Sequence, residues 1–139
     1  MFQCIKCGRC CENTEMILLR EDIERIASLG FNTEEFIVYS KGFYRLKNVD
    51  GRCVFLNPKT RLCSIYDWRP KGCRLYPIIY VIGSYFEEIT VDNSCPQAHT
   101  IDDNDIRFAS SQIADLIFNI LREKVMYYKE PGKRPKAPV

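Results

Sequence analysis

The chain has 139 residues, of which 46% are hydrophobic, and a formal net charge of +2. This length suits one ordinary domain with its own core, and no apolar run approaches the roughly 20 residues that span a membrane. The chain starts with neither the basic residues nor the apolar stretch of a secretory signal, so we expect a cytoplasmic protein that does not enter a membrane.

Short strands and helices are predicted for the first half of the chain. Apolar residues at helical spacing, N-cap signals and turn residues mark their limits. In order, we predict a strand over residues 15–19, a helix over 21–29, a short helix from 33 to about 39, and a hairpin of 43–47 with 52–56.

The second half is predicted to contain another hairpin and one long helix. An Asn57-Pro58 turn should fold the chain back, so that Cys53 and Cys63 approach one point. Pro70 then favours a single helical turn. Strands over 77–82 and 85–91 are joined by Gly83-Ser84. The long helix runs from Asp102 and Asp103 to about Tyr128, with an apolar stripe of Ile106, Ile113, Leu116, Ile117, Ile120 and Leu121 facing the core.

Together these elements predict an α+β fold, a small mixed domain with short hairpins, a long C-terminal helix and a metal-centred cysteine cluster. We expect a single domain over residues 1–128. Residues 129–139 contain three prolines and four basic residues, which predicts a flexible tail. A basic tail without interleaved aromatic residues makes nucleic acid an improbable partner.

The eight cysteines are the most informative feature of the sequence. They are Cys4, Cys7, Cys10, Cys11, Cys53, Cys63, Cys73 and Cys95. In a reducing compartment, such an excess points to thiolate coordination of a metal and not to disulfides, which remain the lesser alternative. We therefore predict that all eight bind zinc or an iron-sulfur centre.

The spacing of the first four cysteines fits two kinds of metal site. Cys4-x-x-Cys7-Gly8 has the form of a knuckle that binds zinc or mononuclear iron. Extended to Cys10, the spacing also matches the opening of a four-iron cluster motif. Adjacent side chains tend to diverge, so Cys10 and Cys11 are expected to serve two different centres of four thiols each. One centre with some free thiols is the alternative.

Charged residues near the cysteines are mostly basic. Arg74 directly follows Cys73 and could donate to a thiolate, whereas Tyr66 and Trp68 are expected to pack over the site as core. His99 is a weaker candidate ligand. Catalysis at a zinc ion with an open coordination position is a further alternative, and it would need a nearby general base. The candidate bases are Glu12, Glu15 and His99, although a surface role is the simpler interpretation of each.

The composite motif resembles a known family. The chain is similar to the YkgJ-type CxxCxxCC cysteine-cluster family in three segments. They are Cys4-x-x-Cys7-Gly8-x-Cys10-Cys11, Cys53-x-Phe-Leu and Cys63-Ser-Ile-Tyr-x-x-Arg-Pro-x-x-Cys73-Arg-x-Tyr-Pro. The resemblance implies zinc or iron chelation and much less about a reaction.

Two functions follow from these patterns. The first is a metal-binding protein, and the second is an iron-sulfur protein that passes electrons to, or supports, a partner oxidoreductase or methyltransferase. A protein partner is possible in either case, and the sequence leaves open whether the chain is itself an enzyme.

Overall fold

The protein is an α+β domain, as predicted, in a computed structural model that describes residues 2–82, 85 and 87–127. These residues form six strands paired into three antiparallel hairpins, together with four helices. The elements are α1 (Arg20–Ala27), α2 (Thr33–Phe36), β1 (Ile37–Ser40), β2 (Phe43–Leu46), β3 (Asn48–Val49), β4 (Arg52–Cys53), α3 (Lys71–Leu75), β5 (Ile78–Ile82), β6 (Glu87–Val91) and α4 (Asp103–Tyr127).

Three short 3-10 turns lie between these elements, at Arg9–Cys11, Tyr66–Trp68 and Ala98–Thr100. The Gly83-Ser84 turn, the domain limit at residue 128 and the predicted tail lie outside the described residues. None of the helices in the described part of the chain is long and apolar enough to cross a membrane.

The first hairpin replaces part of a predicted helix. Helix α2 ends at Phe36, and the next residues form β1, which pairs with β2 from Ile37 opposite Leu46 to Ser40 opposite Phe43. The prediction of helix to Tyr39 was wrong because Ile37, Val38 and Tyr39 favour a strand once a partner is available. Lys41 and Gly42, with φ of 53° and 87°, make the tight turn that supplies this partner.

The extended segment before α1 lies along the other edge of β2. The Leu18 N–H donates to the Tyr44 carbonyl at 2.8 Å, and the Leu46 N–H donates to the Met16 carbonyl at 3.0 Å. The strand predicted over residues 15–19 is therefore an extended segment with a single bridge, Ile17 to Arg45.

The second hairpin delivers Cys53, but it is shorter than predicted. Only Asn48 and Val49 pair with Arg52 and Cys53, since residues 43–46 are already paired with β1. The turn expected over residues 48–51 is narrower, because Asn48 and Val49 pair as β3 and only Asp50 and Gly51, with φ of 54° and 77°, lie at the turn.

The chain reverses at Asn57-Pro58, as predicted. The Asn57 N–H donates to the Leu62 carbonyl at 2.9 Å, and the Arg61 N–H donates to the Asn57 carbonyl at 2.8 Å. Leu56 and Cys63 are then opposite each other in an antiparallel bridge, which returns Cys63 towards Cys53.

Two groups of buried side chains form the core. The larger joins α1, α2, β2 and the chain around Cys53, and it contains Leu18, Ile23, Ile26, Phe36, Tyr44, Leu46, Cys53, Phe55 and Ile65. The smaller joins β5 to α4 through Ile78, Ala109 and Ile113. The predicted stripe of α4 faces inward in part, but Leu121 is 53% exposed and does not belong to it.

Asp22 holds α1 against the start of α3. Its fully buried carboxylate accepts hydrogen bonds from the backbone N–H groups of Leu19 and Lys71, both at 3.0 Å. The Arg25 guanidinium also donates to it at 2.7 Å and reaches the Arg69 carbonyl at 2.9 Å. Because a buried carboxylate needs several donors, this network fixes the segment that leads into Cys73.

Candidate metal centre

All eight cysteines line one cavity, which encloses roughly 800 Å³ of space, part of it open to solvent. They come from five parts of the chain: the N-terminal segment, β4, the return loop, α3 and the loop after β6. The predicted convergence of remote cysteines on one region is therefore present in the fold. Their role as ligands remains a prediction.

The N-terminal segment enters the cavity through a tight turn. The Lys6 N–H points at the Cys4 sulfur at 3.3 Å, as expected of a metal knuckle. Gly8 adopts a φ of 79°, and a Cβ atom there would meet the Arg61 carbonyl oxygen at 2.7 Å. Only glycine permits this approach of the segment to the return loop. At its start, the Phe2 N–H donates to the Asp105 carboxylate at 3.2 Å, which ties the segment to α4.

Four sulfurs meet around Cys11. Its thiol is within hydrogen-bonding reach of the sulfurs of Cys10, Cys53 and Cys63. The expected divergence of the adjacent Cys10 and Cys11 side chains was therefore wrong, because the 3-10 turn Arg9–Cys11 lets the two thiols contact each other. Cys73 lies near Cys10, Cys53 and Cys63, and burial, together with the charge of these sulfurs as thiolates, raises its pKa.

The sulfur contacts divide the thiols into donors and acceptors. Hydrogen bonding to Cys11 lowers the pKa of Cys10 and of Cys63 to about 7, and it also lowers the pKa of Cys53. The same contacts, led by the one with Cys10, raise the pKa of Cys11. Burial raises the pKa of Cys73. A thiolate is the form that binds a soft metal, and these contacts favour it at the accepting sulfurs while they disfavour it at Cys11.

All eight cysteines are free thiols. Among the described residues, no three His, Cys, Asp or Glu side chains are already arranged to hold a metal ion. The sulfurs bond to one another, so rotation of cysteine side chains would be needed to turn them towards a common ion. The donor set nevertheless suits zinc or iron, both of which accept thiolate ligands.

The charged residues that line the cavity are all cations, namely Lys6, Arg9, Arg61 and Arg69. Lys6 and Arg69 stack on the Tyr66 ring, at 4.4 Å and 3.9 Å from its centroid. Arg69 is the cation whose charge lowers the pKa of Cys10 and Cys63. In the sequence, Arg69 was quoted only as the arginine of the Cys63-Ser-Ile-Tyr-x-x-Arg-Pro motif and was given no role, because it is four residues from the nearest cysteine.

Arg74, the cation singled out from the sequence, does not contact a thiolate. Its guanidinium donates to the carbonyls of Arg69 at 3.1 Å and of Asp67 at 3.2 Å. Tyr66 lines the cavity as predicted, and hydrogen bonding to Cys4 raises its pKa. Trp68 is 44% exposed and is not part of the lining, so its predicted place over the site was wrong.

The other candidate ligand and bases lie away from the sulfurs. His99 is exposed on the turn Ala98–Thr100 and does not line the cavity. Glu12 is paired with Arg61 at 2.7 Å, and Glu15 is paired with Lys41 at 2.9 Å. The surface interpretation of all three is the one the geometry favours.

Tyr76 is a second residue that sequence reasoning missed. It lines the cavity near Cys10 and Cys95, and its hydroxyl donates to the Asp92 carboxylate at 2.9 Å. Burial raises its pKa, with Asp92 adding to the effect. The carbonyl of Asp92 also accepts from the Cys95 N–H at 3.2 Å, so one residue positions both Tyr76 and Cys95. The sequence contained it as the tyrosine of the Cys73-Arg-x-Tyr-Pro motif, but that motif assigned it no role.

The thiol-lined cavity with its rim of cations defines a cysteine-cluster domain. The chain belongs to the CxxCxxCC family, whose sequence profile matches residues 3–103 and is described as "Putative zinc- or iron-chelating domain". This bears out the resemblance drawn from the motif.

A relative of similar sequence is an uncharacterized protein, MJ0661, of Methanocaldococcus jannaschii. It is 37% identical over 82 residues, which cover 55% of this chain and 44% of that protein. The chain thus spans less than half the length of this relative. No solved structure matches the chain.

Proposed function

We propose that this chain is a cytoplasmic protein that binds zinc or iron through the thiolates of its eight cysteines. The proposal is carried by the convergence of all eight on one cavity. Free thiols from five parts of the chain gain little by crowding together unless they bind something, since each is a reactive group. Their free state also suits a reducing compartment.

The charges of the cavity support thiolate ligation. A divalent ion with four thiolates has a net charge of −2, so two such centres would bring −4 into a partly buried space. Four cations line that space, of which Arg61 is paired with Glu12, and no carboxylate lines it among the described residues. Such cations stabilise anionic centres and would repel a free metal ion only until the thiols deprotonate.

An iron-sulfur redox function is the second candidate. It is favoured by the spacing of Cys4, Cys7 and Cys10, which matches a four-iron motif, and by the exposure of Cys4 and Cys10 at the surface. A surface cluster could pass electrons to a partner oxidoreductase or methyltransferase.

Anaerobic purification followed by elemental analysis and a visible spectrum tests both candidates. We expect zinc or iron to copurify with the chain. A broad visible absorption that dithionite bleaches would establish the cluster, whereas colourless protein with zinc alone would end the redox candidate. Protein that is free of metal and cannot be reloaded with zinc or iron would refute chelation itself.

A further inference from the structure

We infer that residues 2–10 form a strap that opens about the turn Arg9–Cys11 to admit and release the metal, and that the Asp105 carboxylate latches this strap shut. The inference rests on the proposed metal binding. It adds to that function a route of entry and a positioning residue, Asp105.

The strap forms one wall of the cavity. All of its residues except Gln3 line this space, and they include three of the eight cysteines, Cys4, Cys7 and Cys10. Much of the remaining lining comes from the larger core group, namely Leu46, Cys53, Phe55 and Ile65. An ion held by cysteines of the strap and of the core would therefore be enclosed only while the strap lies in place.

The strap is attached to the fold with little packing. None of its residues belongs to either core group in the described part of the chain, and its Ile5 is 54% exposed. The chain becomes fixed after the strap, where Cys11 packs against the core and the Asn13 N–H donates to the Gly51 carbonyl at 2.7 Å. Because a segment with few buried apolar contacts costs little free energy to detach, the strap can open while the rest stays folded.

The hinge of the strap lies at the turn Arg9–Cys11. Two backbone hydrogen bonds hold this turn, from the Cys11 N–H to the Gly8 carbonyl at 3.1 Å and from the Glu12 N–H to the Arg9 carbonyl at 3.2 Å. Gly8, with φ of 79°, directly precedes the turn. Since glycine tolerates large changes of φ and ψ, this position can absorb the rotation of the strap.

The far end of the strap is latched to α4 by Asp105. The Phe2 N–H donates to the Asp105 carboxylate at 3.2 Å. The same carboxylate oxygen accepts from the Asp102 N–H at 3.1 Å, and the Asp105 N–H donates to the Asp102 carboxylate at 2.8 Å. These reciprocal capping bonds hold the acceptor in place at the start of the helix. The latch therefore has a fixed acceptor on α4, and no cysteine takes part in it.

A second contact holds the middle of the strap. The Lys6 Nζ atom is 4.4 Å from the centroid of the Tyr66 ring, and Arg69 holds that ring with a guanidinium at 3.9 Å. A cation–π contact near the surface is weak. Lys6 and Asp105 together therefore favour the closed strap without making its opening rare.

Loss of the latch should speed metal uptake and metal release together. The Asp105 contact contains no proposed ligand, so it stabilises the closed strap whether or not zinc is bound. Asp105→Ala should raise both rate constants about fivefold, the effect of losing about one hydrogen bond. Because affinity is the ratio of the two rates, it should stay within about twofold. A residue that only shaped the ligand site would change the affinity instead.

Stopped-flow mixing of the full chain with zinc, and of the zinc-loaded chain with a chromophoric chelator, measures uptake and release under reducing, oxygen-free conditions. Asp103→Ala is the matched control, because it removes a carboxylate from the same turn of α4 that has no contact with the strap among the described hydrogen bonds and ion pairs. Its rates should match those of the wild type. Asp105→Asn keeps a carbonyl acceptor for Phe2 and should show a smaller increase than Asp105→Ala.

Hydrogen exchange shows whether the strap alone opens. The Cys11 amide, which is bonded to Gly8 across the hinge, should exchange faster in Asp105→Ala than in the wild type. The Leu46 amide, which is bonded to the Met16 carbonyl in the core, should exchange at the wild-type rate.

Three results would overturn the strap while leaving metal binding intact. They are unchanged zinc rates in Asp105→Ala, equal increases in Asp105→Ala and Asp103→Ala, and faster release without faster uptake. A wild-type chain that binds no zinc would instead refute the proposed function.

Discussion

At the scale of single residues, the charge beside the sulfurs depends on Arg69. Its guanidinium stacks on Tyr66 at 3.9 Å, and its Nε atom donates to the Tyr66 carbonyl at 2.8 Å. These contacts hold the cation at the cavity wall, near Cys10, Cys63 and Cys73. A fixed cation costs little to reorganise when a metal-thiolate anion forms, so Arg69 should act as a positioning residue for the site.

Removal of this charge should weaken metal binding. Arg69→Gln is expected to lower zinc affinity about tenfold, the usual effect of losing a partner of the ligand shell. Arg69→Lys keeps the charge and should recover most of the affinity. Competition with a chromophoric chelator measures both.

Arg74→Gln is the matched control for Arg69→Gln, because it removes a cation of the same segment that bonds only to the backbone carbonyls of Arg69 and Asp67 in the described contacts. Its zinc affinity should stay within about twofold of the wild type. Equal losses in the two glutamine variants would contradict a specific role for Arg69.

At the scale of elements, two close contacts bring separate parts of the chain to the cavity. One is the approach of the N-terminal turn to the return loop at Gly8. The other is the Asp22 carboxylate, which joins α1 to the start of α3. Neither contact involves one of the proposed cysteine ligands directly, so each can be tested by measuring stability.

Gly8→Ala should be more destabilising than Gly51→Ala. Both glycines have nearly the same φ, 79° and 77°, so both variants suffer the cost of a left-handed L-residue, about 1 kcal/mol. At Gly8 the added Cβ also meets the backbone oxygen of Arg61 at 2.7 Å, whereas at Gly51 it meets the side-chain oxygen of Asn13 at 3.2 Å. We expect Gly8→Ala to cost about 1–2 kcal/mol more in urea unfolding. Equal losses of unfolding free energy in the two variants would mean that the return loop moves away from the added Cβ atom without destabilising the fold.

Asp22→Asn should lower the free energy of unfolding by about 2–4 kcal/mol. The amide keeps the shape of the side chain but loses the charge, and one of its two heteroatoms becomes a donor facing other donors. Glu24→Gln is the control, since Glu24 and its partner Arg20 are both 54% exposed and the pair contributes little. Urea unfolding that gives equal values for the two variants would show that the Asp22 network is not a tie between α1 and α3.

The sequence predicted what local patterns determine. The turns at Asp50-Gly51 and Asn57-Pro58 depend on a few adjacent residues, and the cysteine spacing pointed to a shared site. It could not predict β1, because residues 37–39 fit either a helix or a strand until β2 is placed beside them. Nor could it give a role to Arg69 or Tyr76, which it contained only as letters of the motif, because their positions beside the sulfurs arise from tertiary packing.

At the scale of the whole molecule, the cavity is where the separate pieces of the fold meet. Cysteines from residues 4 to 95 line it, and the described chain otherwise has two modest core groups. A metal bound by such remote residues closes long loops, so part of its binding energy becomes folding energy. Stability and metal content should therefore change together.

The most direct test of this account is a count of reactive thiols in native protein before and after chelation, under reducing and oxygen-free conditions, with the melting temperature followed in parallel. Cys4 and Cys10 are exposed in the structure, so only a bound metal would protect them from a thiol reagent. The account predicts protected thiols in the loaded protein, their release and a lower melting temperature on chelation, and recovery of both on adding zinc or iron. Thiols that react equally, and melting that is unchanged by chelator or metal, would contradict it.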